Sequence, residues 1–271
     1  MRKIGQFRTV TLAAALALAG MSAAAEAASC GSTSAGFEAW KQQFAGEARG
    51  RGISPSTISA LMGASYSHAT IGADRGQRSF KLSLEQFMAK RGGPAIAARG
   101  RALKQSQAGM FASIQERYGV PPGPLLAIWG METGFGAQLG NTNVLSAIAT
   151  LAYDCRRSAF FTDQLYANLK LIDQGVLSPS TRGAMHGEVG HTQFLPKNIL
   201  NYGTGNLDSA ANALASTANF LKAHGWRAGA GYQPGEPNFG AIQAWNAASV
   251  YQRAIAIIGR QIDGGGGGTG I

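Results

Sequence analysis

Apolar residues recur along most of this chain at the three- and four-residue spacing of a helix face, and alternation with a period of two is scarce. Phe37, Trp40, Phe44 and Ala48 mark a first such face. Ser54 followed by Pro55 reads as an N-cap with proline at the first helical position, and Ile58, Leu61 and Met62 form the buried side behind it. One long helix is predicted from about 94 to 118, with Leu103, Met110, Phe111 and Ile114 inward. The breakers from Gly119 to Gly123 stop it, and a new helix starts near Pro124. Further helices are predicted over 160–174, 209–223 and 249–262. The expected fold class is mainly α, one compact body with a cleft. An N-terminal helical part (28–108) and a core (109–263) are expected, with no Pro-, Gly- or charge-rich linker between them.

The two ends read differently. Arg2, Lys3 and Arg8 precede a short apolar run from Leu12 to Ala19, and Ala25-Glu26-Ala27 fits the small-residue cleavage rule. Residues 1–27 are therefore expected to be an export leader cut after Ala27, which places the mature protein in the periplasm. Cys30 raises a lipid anchor as the alternative, but Ala27, Ala28 and Ser29 lack the large aliphatic residue such a signal carries. No later segment has the roughly 20 consecutive apolar residues of a membrane helix, so no integral span is expected. The last residues, 264–271, are glycine-rich and read as a disordered tail.

Export changes the reading of two other features. Cys30 and Cys155 are the only cysteines, and an oxidising compartment favours a disulfide between them over two free thiols. The chain carries a net charge of +10, of which Arg2, Lys3, Arg8 and Glu26 in the leader account for +2. A basic surface suits a polyanion, and an exported one suits a cell wall better than nucleic acid. No basic stripe with interleaved aromatics appears, so no nucleic-acid partner is expected.

The segment with most chemical content is PLLAIWGMETGFG (124–136). A nearly unbroken apolar run leads to Glu132, and the helix ends at Thr133-Gly134. Apolar surroundings and the negative end of a helix dipole both disfavour a carboxylate, so the pKa of Glu132 should rise, as a general acid needs. The competing reading is a structural Glu paired with a buried Arg or a backbone N–H. A glycosidase normally uses a second carboxylate. Asp154, Asp163, Asp173 and Glu188 are the candidates, with Glu188 in the tight Gly187-Glu188-Val189-Gly190 stretch the best of them. His186 and His191 flank Glu188, but the spacing is not that of a zinc helix, and hydrogen-bonding histidines are the expectation.

Several ordered motifs resemble the membrane-bound lytic transglycosylase B family. They are YGVPP (118–122) with AIWGMETGFG (127–136), LSAIATLAYD (145–154) with Arg156-Arg157 and Phe160-Phe161, GHTQFLP (190–196) and ANFLKAHGW (218–226), preceded by RGRAL (99–103). The resemblance spans roughly 35–262. It implies a lysozyme-like helical core and a single catalytic Glu132 acting on peptidoglycan glycan strands. It further implies that Gln193 faces the cleft with Phe194 packed behind it, and that Asn246 and Tyr251 close the active site beside Trp245. Tyr153 becomes a substrate contact or a core residue, and Arg156 and Arg157 become candidates for peptide-stem carboxylates.

Two departures from the family pattern stand out. Lys197 follows Pro196 where a serine is common, and would bind a substrate carboxylate or bias Glu132 if it enters the cleft. An acidic Asp-Gly-rich loop is shortened to NYGTGNLD (201–208), with one acid, so no metal is expected. No cofactor is expected either, and a monomer is the default. The leading reading is a lytic transglycosylase. The alternatives are a lysozyme-type hydrolase and a peptidoglycan-binding scaffold with weak or no turnover.

Overall fold

The computed structural model describes residues 28–76 and 82–264; residues 1–27, expected to be an export leader, residues 77–81 and the glycine-rich residues 265–271 lie outside the described residues. Thirteen α-helices dominate the described chain, and its only sheet there is the two-residue antiparallel pair β1 (Thr142–Asn143) and β2 (Arg182–Gly183). The scarcity of alternating patterns is thus matched by helices that bury apolar stripes.

The N-terminal helices are α1 (Phe37–Gly50), α2 (Pro55–Met62), α3 (His68–Arg75), α4 (Leu84–Arg91) and α5 (Gly93–Ser106). α1 buries Phe37, Trp40, Phe44 and Ala48 as its spacing predicts. Ser54 Oγ accepts from the Thr57 amide and caps α2, with Pro55 at its first position. Lys41 is fully buried; its ammonium donates to the carbonyls of Met62 (2.8 Å) and Ala64 (2.6 Å), satisfying the end of α2.

The single helix predicted over 94–118 is in fact two. α5 ends at Ser106, Gln107 leaves helical geometry (φ −118°, ψ 31°), and α6 (Ala108–Tyr118) follows. Between Leu103 and Met110 the sequence offers no large apolar side chain to bury, and Ser106 and Gly109 are weak helix formers. Nothing therefore holds the turn straight, and α6 bends away to pack on α11 (Ala210–Ala223), while α5 lies against α7 (Pro122–Thr133) and α13 (Ser249–Asp263). α7 starts at Pro122, two residues before the predicted point.

α7 is the axis of the core: Leu125, Leu126, Ala127 and Ile128 are completely buried. It crosses α13 where Gly123 meets the Gly259 backbone so closely that a Cβ on Gly123 has no room. α8 (Val144–Tyr153) and α9 (Ser158–Asp173) pack together on another side, and α10 (Pro196–Tyr202) and α12 (Phe239–Trp245) complete the body. One buried apolar cluster runs through both the N-terminal helices and the later ones, so the molecule is one body. Cys30 and Cys155 form a disulfide, flanked by backbone bonds from Gly31 N to Tyr153 O (2.9 Å) and from Cys155 N to Gly31 O (3.2 Å). No helix among the described residues is long and apolar enough to cross a membrane.

Candidate active site

Glu132 is the penultimate residue of α7, and the chain turns sharply after it. Gly134 (φ 58°), Phe135 (φ 62°) and Gly136 (φ 86°) all adopt left-handed backbone. Such a conformation is costly for a phenylalanine. Phe135 is held there by edge contact with Trp129 (5.5 Å between centroids) and by the Arg99 guanidinium over its ring (5.0 Å). The turn leaves the Glu132 side chain half-buried at the wall of a cavity of about 450 Å³.

Two donors reach Glu132 Oε1: the Tyr251 hydroxyl at 2.7 Å and the Trp245 indole N–H at 3.3 Å. Burial raises the Glu132 pKa above its ordinary value; those two hydrogen bonds oppose the rise, the nearby Glu188 carboxyl adds to it, and Arg91 opposes it. Burial, and then the adjoining Glu132, push Tyr251 well above the usual tyrosine value. Arg91 donates to the Met131 carbonyl (3.4 Å) near the end of α7 and lies over the Phe87 and Tyr251 rings, where a cation offsets the helix dipole.

The opposite wall is a tight turn over 190–193. Val189 and Phe194 exchange both backbone hydrogen bonds across it. Gln193 takes a left-handed conformation (φ 56°), and its side-chain amide donates to the Gly190 carbonyl at 2.8 Å. Phe135 and Gln193 are the only non-glycine residues with such geometry among the described residues; Gln193 lines the cavity, and Phe135 stands in the turn that follows Glu132. Two bonds fix the turn to α7, and a third ties it to the segment before α11. Thr133 Oγ1 donates to the His191 carbonyl (2.7 Å), and the Trp129 indole donates to His191 Nδ1 (3.0 Å). His191 Nε2 lies 3.1 Å from the Asp208 carbonyl. With Nδ1 accepting from the indole, Nε2 is left to donate to that carbonyl, and the ring braces α7 against the segment before α11.

The structure brings Glu132, Gln193, Phe194 and Asn246 together on one cavity, with Trp245, His186 and Glu188 also lining it. Tyr251 joins them through its hydrogen bond to Glu132. Asn246 accepts from the Ala248 amide, and its own carbonyl accepts from the Gln252 side chain, so the segment between α12 and α13 is braced. Phe194 is buried and packs on Trp245 and Phe220.

The other expected contacts lie elsewhere. Tyr153 is buried in a cluster with Phe37, Trp40 and Tyr66, beside the disulfide, and is a core residue. Arg156 and Arg157 both turn onto the buried carboxylate of Asp74. Their neighbour Asp154 accepts from Arg75 at 2.7 Å. This ionic cluster reaches the cavity only through its edge, where His186 stands 3.9 Å from Asp74 and 3.7 Å from Glu188. Burial, followed by the two arginines, lowers the His186 pKa, while Glu188 opposes the change. Lys197 does not enter the cavity; it is exposed and pairs with Asp163 at 2.9 Å, because its place in the first turn of α10 points it outward. Among the described residues, no three His, Cys, Asp or Glu gather as a metal site.

Sequence reasoning missed the support of the site: Arg91, the Trp129–His191 pair and Thr133. The only signal for Trp129, Thr133 and His191 was the density of polar and aromatic residues within the motifs themselves, and Arg91 lies outside every motif.

The cavity thus lies at the end of a buried helix, with one carboxyl raised by burial and a braced polar wall beside it. The chain belongs to the family described as Transglycosylase SLT domain, which matches residues 36–236. It is 36% identical over 137 residues to the membrane-bound lytic murein transglycosylase B of Escherichia coli K12; that stretch is 45% of this chain and spans 38% of the relative's length. The fold matches SltB3 of Pseudomonas aeruginosa, solved in complex with NAG-anhNAM-pentapeptide, at a TM-score of 0.77 and 28% identity, covering 84% of this chain and 80% of that one. The Escherichia coli lytic transglycosylase Slt35, solved with bulgecin A, shares the fold at a TM-score of 0.71 and 22% identity, covering 82% and 92% of the two chains.

Proposed function

We propose that this chain is a periplasmic peptidoglycan lytic transglycosylase, exported by cleavage near Ala27, that cuts the β-1,4 bond between N-acetylmuramic acid and N-acetylglucosamine without water. The observation that carries the reading is the environment of Glu132: a carboxyl whose pKa is raised by burial, on the wall of the cavity, in a member of the transglycosylase family. The SltB3 structures with NAG-NAM- and NAG-anhNAM-pentapeptides support the same substrate class.

Glu132 acts first as an acid. Both described donors fall on Oε1, so Oε2 carries the proton and gives it to the glycosidic oxygen as the C1–O bond breaks. Positive charge develops on the muramic ring, and the carboxylate now present is stabilised by Tyr251 and Trp245. Glu132 then takes the proton of the muramic C6 hydroxyl while that oxygen attacks C1, closing a 1,6-anhydro ring and restoring the acid. One carboxyl serves both steps, so no second is required. Gln193 and Asn246, on the facing walls, orient sugar hydroxyl and N-acetyl groups.

A hydrolytic reading draws on one observation, that Glu188 lines the same cavity. Its carboxylate, however, accepts from the His186 amide (3.2 Å) and faces the His186 ring, so it is engaged within its own loop. Mass spectrometry of muropeptides released from purified sacculi separates the readings. Anhydro ends from the wild type and none from Glu132→Gln support the proposal. Products heavier by one water mean hydrolysis, and no products from either protein mean a wall-binding scaffold.

A further inference from the structure

A second carboxylate, Glu47, lines a separate cavity beside the disulfide and has an occupant that the catalytic reading does not use. We propose that Glu47 is the receptor for a primary ammonium, the α-amino group of Ala28 that is created when the leader is cut after Ala27. The inference rests on the leader reading and is independent of the chemistry at Glu132.

Two unrelated observations converge on one atom. The small-residue rule at Ala25-Glu26-Ala27 makes Ala28 the first residue of the mature protein. The nitrogen of that same Ala28 lies 2.5 Å from Glu47 Oε1. An amide there supplies one donor and no charge; the ammonium left by cleavage supplies three donors and a full positive charge, which is the better partner for a carboxylate. The receptor is built. Glu47 Oε2 accepts from the Tyr166 hydroxyl (3.3 Å), and the Arg51 guanidinium stacks on the Tyr166 ring at 4.0 Å. Burial, and then the proximity of Glu47, push the Tyr166 phenol up to about 12 against the opposing effect of Arg51, so it stays a donor.

The chain that follows is held in place as well. Ser29 N donates to Gln43 Oε1 (3.4 Å), and Cys30 is tied to Cys155 two residues after the proposed terminus. Little conformational freedom remains for Ala28, so the ion pair forms at small entropic cost. Ala28 and Glu47 also share a cavity wall with Trp40 and Phe44, which limits solvent screening compared with an open surface pair.

The charged and titratable groups around the site are Glu47 on α1, Arg51 just after it, Tyr166 on α9, and Arg156 and Arg157 on the rim of the same cavity. An ordinary α-amine titrates near pH 8. Pairing with Glu47 raises that value in the folded protein. The stabilisation is therefore complete below about pH 8 and is lost as pH rises through the raised value.

The test uses the full chain, exported and recovered from the periplasm, beside a variant with Gly-Ser inserted between Ala27 and Ala28, and the Glu47→Gln version of each. Mass spectrometry of the exported protein should show a free amine at Ala28. At pH 7 the insertion should lower Tm by about 2–4 °C. Glu47→Gln should lower Tm by a similar amount in the exported protein and have little effect in the insertion variant. All four curves should converge as the pH approaches 10. A mature terminus at another residue overturns the proposal. So does a Glu47→Gln effect of equal size in both backgrounds, since a merely structural Glu47 would behave that way.

Discussion

The Tyr251 phenol donates to Glu132 Oε1 at 2.7 Å where the first turn of α13 meets the last turn of α7. The same hydrogen bond opposes the rise in the Glu132 pKa that burial causes. Tyr251 thus moderates an acid that the apolar run before it would otherwise lock in the neutral form.

Tyr251→Phe should keep the ring's packing on Phe87 and remove only this donor. A hydrogen bond to a charged group is worth about 1.5–3 kcal/mol, and the ionised form of Glu132 loses it. The Glu132 pKa should therefore climb further, moving the basic limb of kcat/KM to higher pH. Turnover should fall by roughly tenfold to a hundredfold, because the step that needs the carboxylate is impaired. A pH–rate profile checks both effects. An unmoved basic limb would show that Tyr251 acts only by packing.

Glu132 should also weaken the fold it serves. Its folded pKa lies above the ordinary value of 4.5. Stability from the neutral form is complete below that ordinary value and is lost as pH rises through the folded pKa. Glu132→Gln keeps an oxygen for Tyr251 and Trp245 but cannot ionise. The variant and the wild type should melt together near pH 4. Above that the variant should become the more stable, with a gap that grows until Glu132 is ionised. Melting curves from pH 4 to 8 test this, and a wild type that gains on the variant as pH rises would contradict it.

Much of this was legible in the chain because it rests on local rules. The stripe Phe37, Trp40, Phe44, the Ser54-Pro55 cap and the apolar approach to Glu132 each specify their structure within one or two turns. The break at Gln107 was not legible. Its sequence is merely permissive, and the bend is decided by α6 packing on a helix a hundred residues later. The pairing of Arg156 and Arg157 with Asp74 escaped for a similar reason. A long-range ion pair leaves no periodic trace, and exposed arginines in a motif read equally well as substrate contacts. Tyr153 was ambiguous in the sequence because a tyrosine suits both a cleft and an aromatic core; its neighbours Phe37 and Trp40 resolve it.

Lys197 replaces a smaller polar residue in the family pattern, yet its ammonium turns to Asp163, and both side chains are largely exposed. A surface pair of this kind contributes between about 0 and 1 kcal/mol. Lys197→Ser should accordingly change turnover less than about twofold and leave the pH–rate profile in place. Steady-state assays on soluble glycan strands would show this. A change in KM alone would instead place the lysine on the path of a substrate carboxylate.

The disulfide joins residues 125 positions apart, close to half the chain. In the chain-entropy model, a loop of that order restrains the unfolded state by about 4–5 kcal/mol. It also ties residues 28–31 to the junction of α8 and α9, which no other covalent link restrains. The Glu132 site, by contrast, is assembled by α7, α13 and the 190–193 turn, and none of the hydrogen bonds described there involves either cysteine. Stability and chemistry should therefore separate. Replacing both cysteines by serine, or adding reductant to the wild type, should lower Tm by roughly 10 °C or more. Activity at 25 °C should be largely retained, because the molecules that remain folded have an unaltered cavity. Thermal melts with and without reductant, paired with assays well below the transition, test the two halves together. If activity at 25 °C collapses while the protein remains folded by circular dichroism, the disulfide must reach the cavity through Arg156, Arg157 and Asp74, and that ionic cluster becomes part of the site.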